Sequence, residues 1–317
     1  MSIEVCDLRE GSQQREFLGH PIGLTVCFLT EMWERFSYYG MRTLLTVFLV
    51  QHFMFGTKDA GLIYGAYTGL VYLLPVLGGW LADRYLGSRK AVTFGAILLT
   101  LGHFSLAFEG PPSERYLTVD GTEYQVEFER RDSKQYQHVT IDGERYLIET
   151  LTNASQNNVG IQLSSKQSTR DYLDGDYDFR VRQHENFLSI FYLSLALIIT
   201  GVGFLKANIS TIVGALYGPH DPRRDGGFTI FYMGINLGSV LATALCGYLG
   251  LSEDWGWGYG FGLAGIGMLA GLLVFWKYQY LLEGRADPPC EKALKKAVFG
   301  PINIEWSIYL LLSLIHI

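Results

Sequence analysis

Cysteine is scarce and poorly placed for chemistry. The chain has four, Cys6, Cys27, Cys246 and Cys290, none at metal-ligand spacing and none in the long polar stretch at its centre, so neither a disulfide framework nor a zinc site has support. Bases are outnumbered as well: 25 Lys and Arg against 31 Asp and Glu leave a net charge of −6. Nothing in that balance suits nucleic acid. No nucleophile, base and orienter fall into a catalytic set, which leaves an enzyme unsupported. The acidic run from Asp171 to Asp178 lacks the spacing and terminal Glu of an EF-hand loop and reads as solvated. Residues 1–19 show no basic region followed by an apolar core and a cleavage site, so no cleavable leader is expected and entry falls to the first spanning helix.

What the chain does have is apolar and aromatic residues, 49% and 14% of the total, with 37 glycines, a profile of polytopic membrane proteins. Apolar runs predict six spans near Pro21–Val50, Gly61–Leu81, Ala91–Phe108, Phe187–Tyr217, Gly227–Leu251 and Tyr259–Tyr280. Pro21 suits the first turn of a helix. The expected organisation is a cytoplasmic tail (1–19), helices 1–3 (20–108), an insert (109–185), helices 4–6 (186–281) and a cytoplasmic linker with the start of a further helix (282–311). The last six residues, 312–317, match the in-frame translation of a sequencing adaptor and are expected to be read-through from a cut gene.

The insert is of another character. From Glu109 to Glu185 it carries fifteen acids against nine bases and reads as a small β unit. Thr118–Tyr124 and Thr140–Tyr146 each place Asp-Gly between alternating residues, the signature of a tight hairpin. The remainder, Asn153 to Asn158 and then Asp171 to Asp178, reads as loop. Lys and Arg in the short connections cluster after spans two, four and six, at Arg84, Arg89, Lys90, Arg223, Arg224 and Lys277 among others, whereas the opposite side has only Lys58. That asymmetry predicts a cytoplasmic N-terminus and an extracytoplasmic insert.

The most costly stretch lies inside the first span. Glu31, Glu34, Arg35, Tyr38 and Arg42 fall at i, i+3, i+4, i+7 and i+11, one stripe of a helix. A charge near the bilayer centre costs about 2.5–3.5 kcal/mol even on lenient scales, so such residues face a protein interior and carry function. Lys206 is a further charge at membrane depth in the fourth span.

The run Glu31-x-x-Glu34-Arg35-Phe36-x-Tyr38-Tyr39-Gly40 resembles the hallmark of the proton-dependent oligopeptide transporter family, a branch of the major facilitator superfamily. Three other motifs keep the family's order. Gly79-x-x-x-Asp83-Arg84-x-x-Gly87-x-Arg89-Lys90 resembles the superfamily's loop motif, Phe231-Tyr232-x-x-Ile235-Asn236-x-Gly238-Ser239 the fifth-helix signature, and Lys206 the fourth-helix lysine. The fold this implies is an all-α polytopic membrane protein, the N-terminal six-helix bundle of a major facilitator fold, with a β-rich extracytoplasmic insert between helices 3 and 4. The activity implied is symport of protons with di- and tripeptides, driven by the proton gradient without a cofactor, and the 317 residues alone are expected to be inactive. By resemblance Glu31 and Glu34 couple the proton. Arg35 and Lys206 hold the peptide carboxylate, and Tyr38, Tyr39, Tyr72 and Asn236 contact its main chain. Arg42 pairs with the second bundle, and Asp83 and Arg84 lock helix ends. Small peptides, protons and lipid are the implied partners, with none named for the insert. Where the family keeps a proline after the lysine this chain has Ala207, which predicts a straighter fourth helix. The rival readings are a same-fold carrier of nitrate or a modified amino acid, and a surface protein that works through its insert.

Overall fold

A computed structural model describes residues 15–131, 134–152, 158–252, 254–288, 294–299, 302–303, 305–307 and 309. The expected read-through at 312–317, Cys6, Cys290 and the stretch 153–157 lie outside the described residues. The chain divides into two compact units, Met1–Phe48 with Thr57–Glu109 and Ser189–Ile317, and Leu49–Gly56 with Gly110–Leu188.

The first unit is a helical bundle. It opens on a two-residue hairpin, β1 (Glu16–Phe17) against β2 (His20–Pro21). Pro21 therefore ends a strand, and the helix predicted from it starts two residues later. The helices are α1 (Gly23–Gln51), α2 (Thr57–Leu81), α3 (Ser88–Leu106), α4 (Glu185–Ala215), α5 (Arg224–Leu251) and α6 (Trp257–Tyr278). All six predicted spans are present, displaced by a few residues at their ends. Between α2 and α3 the chain makes one π-helical turn, Ala82–Leu86, closed by Gly87 N–H donating to Ala82 O at 2.8 Å. Four of the helices, α2, α4, α5 and α6, are long and apolar enough to cross a membrane by length and composition. α1 fails that test for a clear reason: any 18-residue window of it holds at least three of Glu31, Glu34, Arg35 and Arg42.

Glycine lets these helices touch backbone to backbone. A Cβ on Gly95 of α3 would lie 2.6 Å from Gly201 O of α4, one on Gly201 would lie 2.8 Å from Gly95 O, and Gly78 of α2 sits directly on Gly203 O. In lipid, where the hydrophobic effect does not press helices together, such close contact supplies the packing energy. On the other side of the bundle Gly238 of α5 lies against Met32 O of α1, while Gly267 and Gly271 of α6 receive Phe36 and Trp33. The apolar face of α1 is thereby spent on α5 and α6. The hydroxyls of Ser194, Thr200 and Thr211 donate back to carbonyls one turn earlier at 2.7–3.1 Å, so their own helix satisfies these donors. With Ala207 in the proline position α4 runs unbroken for 31 residues.

The second unit is a seven-stranded antiparallel sheet: β3 (Glu114–Val119), β4 (Thr122–Arg131), β5 (Lys134–Ile141), β6 (Glu144–Thr152), β7 (Asn158–Ser164), β8 (Thr169–Leu173) and β9 (Tyr177–Arg182). The spatial order is β8-β7-β6-β5-β4-β3-β9. Both Asp-Gly hairpins form as predicted. Asp120 and Gly121 have φ of 53° and 74°, and Asp142 and Gly143 of 51° and 82°, so both central residues are left-handed, as a two-residue turn matching strand twist requires. The loop expected at Asp171–Asp178 is corrected to the end of β8, a turn and the start of β9, and Asn158 opens β7, because Ile161, Leu163, Tyr172 and Phe179 alternate with polar residues and share one face with Leu117, Val126 and Val139. One segment, Thr169–Arg182, pairs through β8 with the last strand of the meander and through β9 with its first, which ties the two ends of the sheet together and buries that face. Beyond α6 a short pair, β10 (Ala297–Phe299) and β11 (Ile302–Asn303), completes the described elements.

Gly95→Val should destabilise the bundle by about 1–3 kcal/mol, the usual cost of forcing volume into a packed interior, because its side chain meets the backbone of α4. Thermal unfolding in detergent reads this as a lower midpoint.

Candidate functional site

α1 is packed on α5 and α6 through Trp33, Phe36 and Gly40, so its polar stripe turns to the remaining helices. Glu31, Glu34, Arg35 and Tyr38 are buried there, at 3%, 0%, 5% and 2% exposure. Arg35 Nε lies 3.0 Å from Glu31 Oε1, one turn back, and also contacts Glu34 Oε2. Neighbouring residues on a helix point about 100° apart, so Glu34 and Arg35 meet only because both side chains bend toward each other. The three ions still fall short of satisfying one another. Glu31 Oε2, Glu34 Oε1 and Arg35 Nη2 have no hydrogen-bond partner among the described residues, nor do the hydroxyls of Tyr38 and of Tyr67 on α2. Such a cluster of open donors and acceptors is a place for water, a proton or substrate.

Around it the other predicted residues take distinct places. Lys206, half-buried on α4, is close enough to Glu31, Glu34 and Arg35 to feel their charge, yet no carboxylate lies within ion-pair distance of it among the described residues. Its Nζ sits 4.4 Å from the centre of the Tyr72 ring. Tyr72 itself is exposed on α2 and Asn236 is exposed on α5, its Nδ2 donating to Tyr232 O at 3.3 Å within its own helix. Neither bonds to another helix among the described residues. Tyr38 lies under the Arg35 guanidinium, with 5.2 Å from Cζ to the ring centre, and stacks edge-on against Tyr39. Tyr39 also packs against the buried group of Ala242, Cys246 and Ala264, so part of its ring serves packing.

The residues expected to close helix ends have the following partners within this chain. Arg42 donates from Nε to Tyr64 Oη at 2.6 Å, so within this chain its partner is a phenol on α2. Arg84 bonds and stacks only with Tyr85 beside it, and Asp83 is exposed without an ion pair among the described residues. Among the pairs that cross between elements at that end are Arg89 with Asp287 at 2.5 Å and Lys90 with Glu305 at 2.8 Å. Tyr64 and Tyr67 were absent from the sequence reading. Their spacing carried a signal, because Tyr64, Thr68 and Tyr72 at i, i+4 and i+8 line one face of α2. Among the described residues no three His, Cys, Asp or Glu side chains group as metal ligands.

A sequence profile described as the POT family matches residues 89–282. The chain is 35% identical over 279 residues to the uncharacterized transporter YclF of Bacillus subtilis (strain 168), covering 86% of this chain and 41% of that protein. To a di-/tripeptide transporter of Lactococcus lactis subsp. lactis (strain IL1403) it is 33% identical over 272 residues, with 83% and 39% covered. The fold is similar to that of a peptide transporter POT in complex with sulfate, with a TM-score of 0.61, 30% identity, and 95% of this chain and 45% of that one covered. It is also similar to a POT family transporter in complex with 5-aminolevulinic acid, with a TM-score of 0.57, 26% identity, and 95% and 47% covered. The chain spans about two-fifths of the length of the curated relatives it matches.

Removing one partner from a buried ion group leaves the others uncompensated, at a typical cost of 3–5 kcal/mol. Arg35→Ala should therefore lower the thermal midpoint in detergent sharply, and adding Glu34→Gln to that variant should recover part of the loss. A double variant no more stable than the single one would remove the charge explanation.

Proposed function

The chain belongs to the POT family, and from that premise we propose that it is the N-terminal six-helix half of a proton-coupled symporter that imports di- and tripeptides across the cytoplasmic membrane. The observation that carries the reading is the buried Glu31–Glu34–Arg35 group beside Lys206, which has no ion-pair partner among the described residues. Two carboxylates and one guanidinium sum to one negative charge, and a guanidinium does not give up its proton. Either a proton on Glu31 or Glu34, or the ammonium of Lys206, makes up the difference. A proton taken by the carboxylates frees Lys206 and Arg35 to hold the carboxylate of a peptide, which is the elementary step of symport.

The exposed faces support the assignment of the remaining residues. The apolar windows of α2 and α5 are only 17% and 22% buried, against 61% for α4. Tyr72 and Asn236 lie on those open helices, and we assign them with Tyr38 and Tyr39 to the peptide main chain. Arg42, Asp83 and Arg84 we assign to closure against a second bundle. The distribution of Lys and Arg supports a cytoplasmic N-terminal tail and linker and an extracytoplasmic β unit. The 5-aminolevulinic acid in complex with one structural relative favours a second reading, a small amino acid-like zwitterion as cargo, since the same cations would serve its carboxylate. Competition between that compound and a dipeptide for uptake separates the two.

In proteoliposomes of the full-length transporter carrying this segment, Glu34→Gln is expected to abolish accumulation of dipeptide under an inward proton gradient while leaving exchange of internal for external dipeptide measurable. Accumulation at the unaltered rate would show that Glu34 does not couple the proton. Removal of residues 111–182, which contain all seven strands of the β unit, is expected to leave uptake within about twofold of the intact transporter. A loss of uptake at normal expression would place the unit in the transport cycle.

A further inference from the structure

The hairpin ahead of α1 displays its apolar side chains. Phe17 and Leu18, at its tip, are 53% and 84% exposed. Leu18 and Gly19 have φ of 52° and 77°, and Leu18 thus takes a left-handed conformation that a leucine enters only under constraint. The constraint is visible. Arg223, at the start of α5, donates from Nη1 to Glu16 Oε1 at 2.7 Å and to Gly19 O at 3.0 Å. His20 Nδ1 and Tyr217 Oη, after α4, are 2.8 Å apart, and Arg15 N–H donates to Glu283 beyond α6 at 3.3 Å. Asp221 holds Arg223 from the other side, and these bonds keep its carboxyl at about 2, below the usual carboxylate range. The connection between α4 and α5 and the stretch after α6 are thus clamped to a turn whose two tip residues are greasy.

The position of that tip along the bundle follows from the helix ends. A Cβ on Gly23, the first residue of α1, would lie 3.2 Å from Leu281 O and 2.8 Å from the side chain of Leu216, so the start of α1 and the ends of α4 and α6 are level. At this level Trp276, Tyr278 and Tyr280 are exposed, an aromatic grouping typical of a membrane–water boundary. Leu18 precedes Gly23 by five residues and can be no more than about 17 Å from it. Lys277 and Arg285 lie exposed on the same end, cations of the kind that suit phospholipid phosphates.

We propose that Phe17 and Leu18 are a membrane anchor, inserted among the headgroups and upper acyl carbons of the leaflet at which α1 begins, and that the Arg223, His20 and Arg15 bonds hold the turn in the shape that presents them. The partner is the phospholipid surface. A rigid turn loses little freedom on insertion, and its two side chains enter together while the polar strands behind them remain bound to protein.

The test needs no transport. Cys6 and Cys290 are replaced by serine, the buried Cys27 and Cys246 are kept, and a nitroxide is attached at Leu18→Cys or, in a separate chain, at Phe17→Cys. Each labelled 317-residue protein is placed in vesicles of phosphatidylcholine and phosphatidylglycerol. Both labels are expected to collide more often with oxygen, which concentrates in the bilayer, than with a water-soluble nickel chelate, and a label at Asp171→Cys in the β unit should show the reverse order. Nickel-chelate collisions dominating at positions 17 and 18 would overturn the anchor in favour of an aqueous turn. A label shielded from both reagents would overturn it in favour of a protein contact. Either variant decides the matter if the other does not fold.

Discussion

Three ions within five residues of one helix cannot be left singly in hydrocarbon, and much of the bundle is arranged around that constraint. Glu31, Glu34 and Arg35 survive burial because they neutralise one another, with Lys206 near enough to count toward the total. The helix that bears them has no apolar margin to spare. α1 is accordingly enclosed, its greasy side seated on glycines of α5 and α6 and its charged side covered by neighbouring helices. Close approach makes that seating possible, and Gly238, Gly267 and Gly271 permit it.

The same arrangement explains why the polar group is incompletely satisfied. A buried donor or acceptor without a partner costs about 1–3 kcal/mol, more than a made bond contributes. Here carboxylate and guanidinium atoms and two tyrosine hydroxyls remain open in one place. The β unit follows the opposite rule, with its apolar face closed on itself and its other face charged.

Much of this was legible before any coordinates. Six apolar runs set six helices, and the two Asp-Gly pairs set two hairpins with their turn geometry, because both signals are local: one is a length of apolar chain, the other a backbone conformation that few residues tolerate. The acidic run from Asp171 to Asp178 reads as loop in the sequence because its acids are frequent, and only pairing of β8 with β7 and of β9 with β3 gives Tyr172 and Phe179 a shared face with Ile161. Pro21 was read as a helix start on the strength of its fixed φ, which serves the end of a strand equally well.

The stripe from Glu31 to Arg42 marks the boundary between the two kinds of knowledge. Helical spacing by itself determined that these residues share a side, and the cost of charge in lipid determined that the side faces protein. Which atoms meet was decided only in three dimensions. Arg35 turns back to both glutamates, Arg42 reaches Tyr64, and Lys206 lies over Tyr72 without a carboxylate of its own. The reason is that periodicity fixes direction along one helix, whereas a partner on another helix depends on crossing angles and close contacts, here those set by Gly78 with Gly203 and by Gly95 with Gly201, which no stretch of sequence contains by itself.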